Sequence, residues 1–118
     1  MGVSRVIPLS VHAAIETVAA PAIMAAPFVL SFGQTAGVVA FVIGALLLGL
    51  AVQAAGPGRT IPLSAHAGLD YVLAALAAIA GLVIGLAGEW TAGIFLVGVG
   101  VAQVALTTAT RFSAPLGA

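Results

Sequence analysis

Four apolar runs of about twenty residues, set apart by short stretches of turn-forming residues, constrain this chain more than any other feature. Each run is long enough to cross a hydrocarbon core as a helix, and together they use nearly all of the 118 residues. The charge content agrees. Charged residues make up 5% of the chain and hydrophobic ones 63%, with a mean hydropathy of +1.31. A soluble domain covers itself with about a quarter charged residues, so most of this surface must face lipid. The expectation is all-α: a single membrane domain of four transmembrane helices joined by short loops. Zero net charge and three basic residues leave no footprint for nucleic acid. With no cysteine, disulfides, thiolate catalysis and zinc–thiolate or iron–sulfur sites are excluded.

The runs come in two copies. Arg5, Ile7, Pro8, Leu9, Ser10, His12 and Ala13 recur 54 positions on as Arg59, Ile61, Pro62, Leu63, Ser64, His66 and Ala67, and Glu16 falls on Asp70. Thr35-Ala36-Gly37 matches Thr91-Ala92-Gly93, and Gly44 matches Gly100, now 56 positions on. The second copy therefore carries two extra residues near its mid-hairpin loop. Self-similarity at a fixed period marks a duplicated unit, here a two-helix hairpin with copies over about 5–55 and 59–112. Because each copy crosses twice, the copies share one orientation, and their pseudo-two-fold axis should follow the membrane normal.

The spacing of turn signals predicts helices over about 8–31, 36–54, 62–87 and 91–110. Pro8 and Pro62 suit a first helical turn, Thr60 suits an N-cap, and Gly33, Gly88 and Gly56-Pro57-Gly58 punctuate the ends. Pro21 and Pro27 should kink or loosen helix 1. Helix 1 follows Arg5 as a signal peptide would. As the counterpart of internal helix 3, however, it is expected to be retained. Met1-Gly2 does not read as a myristoylation site, since position 6 is Val. Arg5, Arg59 and Arg111 all fall at one end of the helices, which by the positive-inside rule places both termini in the cytoplasm. Trp90 and Phe112 are expected as interfacial anchors.

Polar groups at membrane depth are where function is sought first. His12 and Glu16 on helix 1, and His66 and Asp70 on helix 3, are each four residues apart and so share a helix face. Pseudo-symmetry can bring the two faces together, with the Tyr71 hydroxyl nearby. Three readings compete: a metal or haem site using His12 and His66, a proton- or ion-exchanging pair of carboxylates, and a structural cluster at headgroup level. The last has support from position, because at about 1.5 Å per residue His66 lies only about 7 Å into its helix. Gln53 and Gln103 are candidates for bridging helices. Thr107, Thr108 and Thr110 are expected to bond back to their own helix, and Glu89 to be a solvated loop charge. No nucleophile has a partnered base, so an enzyme is not expected.

Small residues spaced by four, Ala22 and Ala26 on helix 1 and Ala77, Gly81 and Gly85 on helix 3, allow close helix approach within the chain or between chains. At Ala26-Pro27-Phe28-Val29-Leu30-Ser31-Phe32, followed by the glycine-rich stretch Gly37 to Gly49, the chain resembles the SPW-repeat membrane proteins, with Ala26 and Phe28 at the Ser and Trp positions. The resemblance implies tandem two-helix hairpins in a membrane and carries no activity with it. The favoured expectation is a small accessory or scaffolding subunit, packed in the bilayer against other membrane subunits or its own copies. The alternative is a proton- or ion-coupled transporter or channel using Glu16 and Asp70, and the third a haem or metal protein. Small multidrug-resistance transporters look similar in outline but lack the tandem repeat.

Overall fold

A computed structural model of the protein describes residues 5–55 and 61–112. Four helices follow in order: α1 (Leu9–Val29), α2 (Gln34–Ala55), α3 (Leu63–Leu86) and α4 (Trp90–Ala109). All four are long and apolar enough to span a membrane, and large apolar side chains such as Val18, Phe28, Leu86 and Ile94 stand exposed along them. Such a surface is stable only in lipid, so this is a multi-pass membrane protein. Arg59, Thr60 and the Gly56-Pro57-Gly58 run lie outside the described residues, as do Met1 and Gly2.

Each copy folds as a hairpin, α1 along α2 and α3 along α4. The two hairpins meet mainly at α2–α3 and only lightly at α1–α4. The buried positions repeat with the sequence. His12, Glu16, Ala20, Ile23 and Pro27 point inward from α1, and their counterparts His66, Asp70, Ala74, Ala77 and Gly81 point inward from α3. Between the hairpins, Ala20, Ile23, Ile43, Leu47, Leu73, Ala77 and Leu96 form the apolar core.

Helix ends differ from expectation by a few residues, with local causes. Pro8 and Pro62 are the N-caps, in extended geometry at ψ 151° and 148°, so both helices begin one residue later than expected. Chain reversal after α1 puts Ser31 at φ 55°, whereas after α3 it uses Gly88 at φ 114°, where glycine carries no steric penalty. The two extra residues of the second copy do not lengthen the loop. They extend α3 to 24 residues, against 21 for α1. Helix α1 runs through both Pro21 and Pro27.

The small-residue faces act within the chain. A Cβ on Gly81 would lie 2.7 Å from the Gly93 carbonyl oxygen and from the Val97 nitrogen, and one on Gly100 would lie 2.6 Å from the Ala74 carbonyl oxygen. Helices α3 and α4 therefore touch backbone to backbone at Gly81, Gly85 and Gly93. Ala26 and Ala77 are buried, but Ala22 is exposed. Ala22 lines an open cleft between α1 and α4.

At one end of the bundle the chain's outer segments meet. Ile7 N–H donates to the Ala109 carbonyl at 3.0 Å, and Arg111 N–H donates to the Ile7 carbonyl at 2.9 Å. At the other end the two hairpin turns are tied by Gly33 N–H donating to Glu89 Oε2 at 2.9 Å. Glu89 is exposed but not merely solvated.

Candidate functional site: a buried ring of two histidines and two carboxylates

The two helix starts aim the histidines. The Pro8 carbonyl accepts the His12 amide at 3.0 Å, and the Pro62 carbonyl accepts the His66 amide at 2.9 Å. Each imidazole is thus fixed in the first closed turn, on the face that Glu16 or Asp70 occupies one turn later. Since α1 and α3 both bury that face, the four side chains converge. They do not sit apart on separate faces.

Their reactive atoms alternate around a ring. His12 Nε2 lies 3.2 Å from Glu16 Oε1 and 3.0 Å from Asp70 Oδ2. His66 Nε2 lies 3.1 Å from Asp70 Oδ2 and 3.6 Å from Glu16 Oε1. All four residues are buried, none more than 2% exposed. Yet Glu16 Oε1, His66 Nε2 and Asp70 Oδ1 make no hydrogen bond of acceptable geometry. Buried polar atoms in that condition are uncommon and call for a reason.

One hydrogen bond shows what the ring needs. Thr110 donates its single hydroxyl hydrogen to the Leu106 carbonyl at 2.6 Å. At its 2.8 Å contact with His12 Nδ1, the hydroxyl then accepts in the tautomer whose Nδ1 carries a hydrogen, while His12 Nε2 lies 3.0 Å from Asp70 Oδ2. In that tautomer a neutral His12 turns the lone pair of Nε2 toward two carboxylate oxygens. Lone pairs 3.0–3.2 Å apart repel unless positive charge lies between them. That charge is either a second proton on the imidazole or a bound cation.

Helix α4 supports the ring from one side. Gln103 Nε2 donates to Glu16 Oε2 at 2.6 Å across the α1–α4 seam, and it lies 3.4 Å from Thr107 Oγ1. The Phe112 ring packs on both imidazoles, with centroids 5.1 Å from His12 and 5.7 Å from His66. It closes the ring toward the end where the outer segments meet. Phe112 thus lies over the cluster, and Trp90 is exposed. Thr110 does bond back to its helix, but it also orients His12. Thr108 pairs with Tyr71, 3.2 Å between hydroxyl oxygens.

Tyr71 does not join the site. One residue beyond Asp70 turns it about 100° around the helix, and it is exposed, facing away from the ring. Tyr71→Phe should therefore leave ligand affinity at the ring unchanged and shift stability by less than about 0.5 kcal/mol, measured by thermal unfolding in detergent.

Gln103 bridges α4 to α1, as expected; what the sequence concealed is that Gln103, Thr107 and Thr110 together support the ring, although a signal exists. At the 56-residue offset they fall on Leu47, Ala51 and Ala54 of the first copy. The ring itself is duplicated, and the hydrogen bonds seen to support it come from Gln103 on α4 and Thr110 at its end. As for cofactors, Glu16 and Asp70 lie between the two Nε2 atoms. A single ion fits, since the four residues can each offer one donor, all within 4.8 Å of one another. No protein-family model, curated protein or solved structure matches this chain.

Proposed function

We propose that the protein is a small cation-handling membrane protein, a carrier or ion-coupled protein whose exchangeable carboxylates are Glu16 and Asp70. The observation that supports it is the ring of four buried donors with unsatisfied atoms, which can take a cation at its centre. Buried ionisable groups within membrane-spanning helices ordinarily mark ion or proton pathways, and here two come from each copy. The accessory-subunit reading drew on small-residue faces, but those of α3 are occupied by α4 of the same chain. The buried ring is then the feature that asks for a function. Kinship with SPW-repeat proteins remains a proposal resting on the tandem hairpins. By the positive-inside rule, the end that carries Arg5 and Arg111 belongs on the cytoplasmic side.

The test is flux into proteoliposomes loaded with fluorescent reporters for protons and for divalent ions. Glu16→Gln/Asp70→Asn should lower the flux at least about ten-fold, in line with the loss of both charges from the ring. Flux equal to that of the unmodified protein, with the variant folded, removes the reading.

A further inference from the structure

We infer that the ring is a binding site for one first-row divalent transition metal ion per chain, ligated by His12 Nε2, His66 Nε2, Glu16 and Asp70. This rests on the cation-handling reading and names its ion. Geometry comes first. Imidazole and carboxylate ligands bind such ions at about 2.0–2.2 Å, which puts neighbouring donors of a four-coordinate site about 3.4 Å apart. The nitrogen–oxygen separations around the ring are 3.0, 3.1, 3.2 and 3.6 Å. An ion at the centre would also satisfy Glu16 Oε1 and His66 Nε2, two of the three buried side-chain atoms without a hydrogen-bond partner among the described residues.

Charge and ligand type then select the ion. Two carboxylates and two neutral imidazoles neutralise a divalent ion, whereas a monovalent ion would leave a net negative charge in a low-dielectric interior. Mixed nitrogen and oxygen donors suit zinc, manganese, iron and cobalt, while magnesium and calcium favour all-oxygen sites. The surrounding bonds match what metal ligands need. His12 donates its other ring N–H, to Thr110 Oγ1, which turns Nε2 inward. Gln103 holds the outer oxygen of Glu16 at 2.6 Å, leaving Oε1 toward the centre. Gln103 and Thr110 are thus positioning residues for the metal, present on α4 and replaced by Leu47 and Ala54 at the equivalent places on α2.

The experiment uses the full chain in detergent, stripped with a chelator, then titrated with Zn²⁺ by calorimetry and with Co²⁺ by visible absorption. The expected result is one Zn²⁺ per chain and cobalt d–d bands of a four-coordinate nitrogen–oxygen site. His66→Ala should abolish both. Gln103→Leu, which restores the residue of the first copy, should weaken Zn²⁺ about 10- to 100-fold while leaving the stoichiometry at one. Gln103→Leu also carries the test if His66→Ala fails to fold. Zn²⁺ binding that is absent, or equally tight in both variants, overturns the inference. If Zn²⁺ does not bind yet proton flux still requires Glu16 and Asp70, the metal is wrong and the cation-handling reading stands. If Zn²⁺ binds one per chain but no cation crosses, the site is right and the transport reading fails.

Discussion

Gly93→Ala should destabilise the protein by about 2–3 kcal/mol, the upper range for forcing a methyl group into a packed interior. The same change at Gly37, its counterpart in the first copy, should cost less than about 0.5 kcal/mol. A Cβ at Gly93 would lie 2.8 Å from the Gly81 carbonyl oxygen and from the Gly85 nitrogen. These are backbone atoms of a continuous helix and cannot swing aside as a side chain would. Helix α4 would have to withdraw from α3 along the seam, losing contacts well beyond the substituted position. At Gly37 the nearest atom is Pro27 Cβ at 3.5 Å, ordinary van der Waals contact. The difference lies in the partner helix, where Pro27 of the first copy has become Gly81 in the second. Gly49, with nothing within 4 Å, serves as the neutral control. Melting temperatures of the three alanine variants in one detergent decide the point, and equal losses at Gly37 and Gly93 would refute the backbone contact.

Asp70→Ala should be worse still, by about 3–5 kcal/mol, because removing one member of a buried charged cluster leaves the others uncompensated. The ring lies at 0–2% exposure, so water cannot take over the missing role. An apolar replacement of the whole cluster has the opposite expectation. Exchanging a complete buried ionic group for well-packed apolar residues is often neutral or stabilising. His12→Leu, Glu16→Met, His66→Leu, Asp70→Leu and Gln103→Leu together should unfold within about 1 kcal/mol of the unmodified protein. If stability were the ring's whole purpose, that five-fold variant would show nothing lost. A single-site loss with a multi-site recovery, followed by thermal unfolding, separates a retained functional group from a structural clamp.

Much of the fold was legible because the bilayer limits the choices. Twenty-residue apolar runs bounded by glycine and proline read directly as spans, and the 54-residue recurrence from Arg5 to Ala13 read as a duplicated hairpin. What blurred was local. A proline at a helix start can serve as cap or as first residue, and both Pro8 and Pro62 prove to be caps. Ala22 and Ala26 share a helix face by spacing, yet only Ala26 meets a partner. Spacing cannot say where the neighbouring helix ends and an open cleft begins.

The four ring residues were legible for the same reason as the repeat, since equal offsets put equal side chains on equivalent faces. Their convergence was an expectation of pseudo-symmetry, and their distances belong to tertiary structure. Tyr71 was drawn in by closeness in sequence, and the helical turn carries it away. The ring partners of Gln103 and Thr110 escaped because Glu16 and His12 lie 87 and 98 residues distant. No helical periodicity reports such contacts. Comparing the two copies at α4 and α2, where Gln103 stands against Leu47, is the signal that reaches them.

The most direct measurement is cation flux through the five-fold apolar variant in proteoliposomes, with its unfolding temperature recorded on the same preparation. The expected result is a stably folded protein that passes no cation above the empty-liposome background. Undiminished flux in that folded variant would contradict a cation site at His12, Glu16, His66 and Asp70.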